Sequence, residues 1–255
     1  MEKSFVFAGM GARTGLMAAL FAEQGFRGVR DNLDQAGGFM NQGMFTGAGG
    51  DLDRRKLIDG LGIRWETPLV GFKRFPTGGP TQPAVQGLLD LLPEVNRAAV
   101  QSVRIEMPGR WQTFRDAGMP ALNLRYLAAI ILIDGRLDFV SAQSLSRMNG
   151  DAAVRALMAK VEVAHDQAQE APAGQERVES ARVIVTETTG RRHERFVPYV
   201  AGYPSHPLTR AQVEEKSLGL MSPRLGAARA RAVIERTRAI ETIANAGELA
   251  RLIAS

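Results

Sequence analysis

The sequence predicts an α+β protein in which a mostly helical domain, drawn from both ends of the chain, carries an inserted α+β unit. Three observations lead there. Apolar residues fall at helical spacing near the start, β-branched residues cluster from about Leu69 onward, and helical spacing returns after Pro207. The expected divisions are 1–68 for the first helical part, 69–205 for the α+β domain and 206–255 for the helical return.

Gly11 to Phe26 (GARTGLMAALFAEQGF) places Leu16, Ala19, Leu20 and Ala22 at helical spacing, with Gly25 as the stop. A second helix is expected over Asp51 to Leu61, and the stretch between them (AGGFMNQGMFTGAGG) is a glycine-rich loop. Further on, a helix is expected over Gln82 to Leu92. A strand VQSVRIEMP follows, then a strongly apolar helix LNLRYLAAIILIDG, a polar helix near Asp151 to Ala159 and a strand KVEVAHD. The segments ESARVIVTETTG and RRHERFVPYVAG read as an antiparallel hairpin about Thr189-Gly190. Thr209 is an N-cap for a helix running to Leu220, Pro223 is expected to break it, and Ala227 to Ala254 holds one or two more.

Composition removes several classes of chemistry. Hydrophobic residues at 45% and charged residues at 23% belong to an ordinary globular chain of 255 residues. With no cysteine there is no disulfide, thiol nucleophile or thiolate metal site, and His165, His193 and His206 lie too far apart in sequence to suggest a metal centre. The N-terminal MEKSFVFAGMG lacks the apolar core of a secretory signal, and no apolar run is long enough to span a bilayer. A cytoplasmic protein with no membrane partner is the expectation. The net charge of +5 favours anionic partners in a general way.

Four stretches could carry function. Gly9-x-Gly11, with Asp31 further on, resembles a dinucleotide fingerprint, but Thr14 stands where the third glycine belongs and strand–helix alternation does not continue. Close helix packing explains those small residues better. Arg224, Arg229, Arg231, Arg236 and Arg238 could meet phosphates. Glu235, Glu241 and Glu248 among them, and no aromatic, favour a solvated ion-paired face over nucleic-acid binding. Tyr126 lies on so apolar a helix that it is either a core residue with its hydroxyl satisfied or, if the helix end lines a cleft beside Asn123, a donor to substrate. The fourth is Phe72 to Val85, FKRFPTGGPTQPAV. Lys73 is either a solvated loop lysine or the charged tip of a loop set before the helix at Gln82. In the second case Thr81 is the cap, and the free N–H groups of the helix attract an anion.

Read together, FAGMGARTGLMAALFAEQGFRG, LGIRWETPLVGFKRFPTGGPTQPAV, NLRYLAAIILIDGRLDF and VPYVAGYPSHPLTRAQVEEKSLGL resemble the MmgE/PrpD family, in order and along nearly the whole chain. Its members include 2-methylcitrate dehydratase, cis-aconitate decarboxylase and iminodisuccinate epimerase. The resemblance implies a helical domain with an α+β lid, a cleft site between them, a homodimer, small di- or tricarboxylic acid substrates, and lyase or isomerase chemistry with no cofactor or metal. By position, Lys73 is the motif lysine facing substrate and Tyr126 the lid-helix tyrosine. Gly78, Thr81 and Gln82 are substrate-side loop residues, and Lys3 lies near a further substrate-side lysine. Many members place histidine where this chain has Gly78 and Gln82, and a Gln82 amide can hydrogen-bond but moves no proton near neutral pH. The family begins with a long helical region that this sequence does not contain. The expectation is therefore a C-terminal portion, or a subunit working with a separate N-terminal half.

Overall fold

The computed structural model describes residues 6, 9–30, 58–173 and 178–254. Contacts divide the chain into two units, Met1–Glu66 and Thr67–Ser255. The last helices belong to the second unit. Lys3, Asp31, the glycine-rich loop and most of the helix expected over Asp51 to Leu61 lie outside the described residues.

In the first unit, helix α1 spans Met10–Glu23. It stops as expected at Gly25, whose φ of 89° only glycine adopts without strain. The Gly25 N–H donates to the Ala22 carbonyl and the Phe26 N–H to the Phe21 carbonyl, while the two phenylalanine rings meet at 5.4 Å. That is a complete Schellman end with its hydrophobic contact.

The second unit is a mixed helix-and-sheet body. Strands β1 (Val100–Met107), β2 (Val161–His165), β3 (Ala181–Glu187) and β4 (Arg192–Val197) form one sheet in the order β2-β1-β3-β4. β3 pairs antiparallel with both β1 and β4, as the hairpin reading requires, with Gly190 at φ 85° in the turn. β1 pairs parallel with β2, Val103 opposite Val161 and Ile105 opposite Val163. A parallel pair needs a long crossover. It is supplied by α3 (Trp111–Arg115), α4 (Leu124–Asp134), α5 (Phe139–Ala142), α6 (Leu145–Gly150) and α7 (Ala152–Met158), which follow α2 (Gln82–Leu91) in the chain.

Alternation sorts the sheet into two faces. Val103, Ile105, Val163, Val183 and Val185 are buried in one core with Val85 and Leu88 of α2 and Leu127 and Ile131 of α4. Gly87 is the point of closest approach, since a Cβ there would meet Val183 Cγ2 at 3.0 Å. The other face carries alternating charge. Arg104 bridges Glu162 at 2.6 Å and Glu106 at 2.8 Å, and Arg182 reaches both Glu106 and Glu194. At the hairpin end, buried His193 and Glu187 meet at 2.8 Å, and the same Glu187 oxygen accepts the Asn96 N–H at 2.9 Å.

The chain then forms α8 (Arg210–Leu225), α9 (Ala227–Arg238) and α10 (Gly247–Ile253). Thr209 caps α8 in a reciprocal box with Gln212. Pro223 does not break α8, which ends at Gly226 instead. In the last turn a proline forfeits one intrahelical bond only, and the packing of α8 on α9 outweighs that loss. The arginine-rich face is used internally. Arg236 pairs with Glu248, Arg238 pairs with Glu214, and Arg229 donates to the carbonyls of Arg251, Leu252 and Ala254 at the end of α10. Among the described residues no helix is long and apolar enough to cross a membrane.

Candidate functional site

The loop from Gly71 to Gly79 is fixed by contacts that its sequence makes possible. A Cβ at Gly71 would lie 2.6 Å from the Tyr203 ring, so only glycine lets the chain pass beneath it. The Phe72 N–H donates to the Gly202 carbonyl at 2.7 Å, joining the loop to the turn before α8. Gln143 donates to the Pro76 carbonyl at 3.1 Å, and the Gly78 N–H to the Ala121 carbonyl at 3.0 Å. Arg74 donates to Gln86 at 3.0 Å, its guanidinium 5.5 Å from the Phe75 ring centre.

Gln82 is the central pin. Its side chain is buried, its carbonyl oxygen accepts the Phe75 N–H at 3.0 Å, and its amide donates to Thr77 Oγ1 at 2.8 Å and the Phe75 carbonyl at 2.9 Å. The amide expected to meet a ligand is thus engaged by its own loop. Thr81 stands at the start of α2 as expected, but its hydroxyl donates to the Gly78 carbonyl at 2.9 Å and caps nothing. The expected anion-attracting helix end is also altered. A 3-10 turn over Gly79–Thr81 runs straight into α2, occupying the N–H groups of Thr81 and Gln82, and Pro83 has none to offer. Gly78 is buried, and any side chain there would overlap Leu122.

Tyr126 sits in the core. It is fully buried, its hydroxyl donates to the Ser141 carbonyl at 2.6 Å, and burial, the largest influence, pushes its pKa up. Asn123, the neighbour that suggested a cleft, caps α4 by accepting the Tyr126 N–H at 3.0 Å. The arrangement is that of the core reading.

Lys73 is exposed, and among the described residues its ammonium has no hydrogen bond or ion pair. Its backbone carbonyl accepts a bond from Lys216 Nζ, reaching across from α8. Sequence reasoning missed Lys216. Burial lowers its pKa, and the charge of Lys73 lowers it further. A signal was available, since Lys216 follows Val213 by three residues and precedes Leu220 by four, on the inward stripe of the helix that Thr209 caps. Lys216 lines a cavity of about 280 Å³ whose walls include Arg74, Phe75, Pro76, Phe139 and Leu220. A larger, mostly apolar cavity of about 490 Å³ between α8 and α9 contains no residue of the loop. Tyr203 was missed as well. Its hydroxyl lies 3.2 Å from where a Gly79 side chain would begin.

The family model of the MmgE/PrpD C-terminal domain matches residues 75–241. The chain belongs to the MmgE/PrpD family. A comparison with curated proteins found none that matches. Within this MmgE/PrpD chain the matched span starts at Phe75, just past Lys73, and takes in Gly78, Thr81, Gln82, Tyr126 and Lys216. Among the described residues, no group of three or more His, Cys, Asp or Glu side chains is placed to hold a metal ion. Lys3 lies outside the described residues.

Proposed function

We propose that this MmgE/PrpD protein is a lyase or isomerase of the dehydratase type. It acts on a small di- or tricarboxylic acid by proton transfer without a cofactor, with dehydration as the first choice over decarboxylation or epimerisation. The observation that carries the reading is Lys73, an exposed cation with no partner among the described residues, on a loop whose backbone is tied down at Phe72, Phe75, Pro76 and Gly78. A fixed cation binds a carboxylate through a charge-assisted hydrogen bond. It also stabilises the enolate-like charge that builds when the neighbouring C–H loses its proton. Gly78, Thr81 and Gln82 shape this loop, and Tyr126 lies in the core with its hydroxyl on the Ser141 carbonyl. The family relationship supports three further parts of the proposal: an α+β lid over a helical domain built from both chain ends, a homodimer or a complex with a separate N-terminal half, and a cytoplasmic location.

A second reading is a carboxylate-binding subunit without catalysis. Gly78 and Gln82 favour it, because they stand where many family members have histidine and the Gln82 amide is already engaged. The test is an assay of the chain, alone and with the product of a neighbouring gene, against citrate-like and aconitate-like acids. Turnover that survives Lys73→Ala unchanged would remove Lys73 from the mechanism. Binding without turnover in every combination would favour the second reading.

A further inference from the structure

The Lys73 loop carries no histidine, yet a second amine stands beside it. Lys216 comes from α8, remote in sequence, and donates to the backbone carbonyl of Lys73. Together with Phe75, Phe139 and Leu220 it lines the cavity of about 280 Å³, room for an acid of four to seven carbons. Charged groups face it from every wall: Lys73 and Arg74 from the loop, Asp138 from the start of α5, and Glu215 from α8 itself. Asp138 is committed to its own helix, accepting the Ser141 N–H at 2.8 Å. Among the described residues Lys216 forms no ion pair with a carboxylate.

We propose that Lys216 is the proton-accepting residue of the Lys73 site, an inference that rests on the lyase reading above. A carboxylate of the substrate lies on the Lys73 ammonium, and the adjacent carbon faces the neutral Lys216 amine. The C–H bond breaks as an N–H bond forms on Nζ, and the electron pair moves into the enolate-like system that Lys73 stabilises. The pair then closes the carbon–carbon double bond as the β C–O bond breaks. The departing hydroxyl takes the proton from Lys216, leaving as water and restoring the amine. Burial and the neighbouring Lys73 cation both lower the Lys216 pKa and so favour its neutral amine.

The test is competitive acylation of the intact protein with acetic anhydride across pH 6 to 11, read by mass spectrometry at each lysine. The same lysine acylated in urea-unfolded protein serves as its own reference. The expected result is a Lys216 midpoint lower in the folded protein than in the unfolded one. Lys73→Gln should raise that midpoint, and tricarballylate should slow acylation of Lys216 at least fivefold. A Lys216 that titrates in the folded protein as it does in the unfolded one, or ignores Lys73→Gln, overturns the proposal. If an acid is turned over, Lys216→Arg should keep the melting temperature and acid binding while losing turnover about 100-fold or more. Turnover retained in both Lys216→Arg and Lys216→Met would overturn this inference and leave the Lys73 reading standing. Absence of turnover with every acid would remove the lyase reading, and with it this step, even where the acylation result identifies an activated amine.

Discussion

Replacing Gln82 with leucine keeps the side-chain volume near α2 and removes every hydrogen bond that this side chain makes to the Lys73 loop. Three good bonds go: the Phe75 N–H at 3.0 Å, the Thr77 hydroxyl at 2.8 Å and the Phe75 carbonyl at 2.9 Å. At about 0.5–1.5 kcal/mol net for each, with an added penalty where a half-buried partner finds no water, the loss comes to about 3 kcal/mol. For a body of this size that lowers the melting temperature by roughly 6–12 °C. The matching local readout is hydrogen exchange at the Phe75 amide, which should lose protection ahead of β1 and β3. Gln82→Glu is a sharper variant. It keeps an acceptor for the Phe75 N–H but turns a second oxygen toward the carbonyls of Phe75, Thr77 and Gly78. Its carboxyl pKa must rise in the folded state, so the folded form binds more protons and the variant loses stability as pH climbs from 5 to 8. A Gln82→Leu protein melting within about 2 °C of the parent, with Phe75 still protected, would refute the claim that Gln82 holds this loop.

Other expectations are as direct. Gly202→Ala should cost about 3 kcal/mol or more in urea denaturation, because Gly202 has φ 98° and any Cβ would overlap the Phe72 carbonyl; Gly25→Ala, with φ 89° but open space, should cost only about 1 kcal/mol. Tyr126→Phe should lower stability by about 1–2 kcal/mol, from the lost bond to the Ser141 carbonyl, and leave acid binding within twofold. The Glu187 carboxyl is held below the usual carboxylate range by the Asn96 N–H and then by His193, and Asp138 chiefly by the Ser141 N–H. Their stabilising effect is therefore complete above about pH 5 and is lost as pH falls through the lowered values, below about 4. Glu187→Gln should flatten the acid limb of melting temperature against pH, and an unchanged slope would count against that assignment.

The elements that were legible in the sequence are those whose signals are local and strong. Helix α4 was bounded by Asn123 and by Gly135, which at φ 69° terminates it, and the run between them is apolar enough to need burial on all sides. The hairpin showed itself through β-branched flanks and a Thr-Gly turn. What escaped the sequence was settled by tertiary structure. The parallel pairing of β1 with β2 depends on a crossover of short helices, and α3, α5 and α6 are too short to be stable or visible by periodicity alone. Pro223 looked like a stop because a proline's local cost is large. The contact of α8 with α9 that offsets it cannot be read from the residues nearby.

The same division runs through the candidate site. Lys73 and Gln82 are visible in the sequence because they flank a proline–glycine loop, but their chemistry depends on what the fold places against them. Gln82 looked like a ligand for substrate, and its amide is engaged by Phe75 and Thr77 of its own loop. Thr81 looked like a cap, but its hydroxyl turns back to the Gly78 carbonyl, and the N–H groups of Thr81 and Gln82 bond within the 3-10 turn before α2. Lys216 looked like one more charged residue on a polar helix. It becomes a chemical candidate only because α8 carries it to the Lys73 carbonyl, where burial and a like charge act on it together. A cation that must stay charged to hold a carboxylate belongs where water reaches it, and an amine that must become neutral belongs where water is thinned. In the proposed step, exposed Lys73 on the loop and half-buried Lys216 on α8 meet those two requirements side by side, and a single lysine could not.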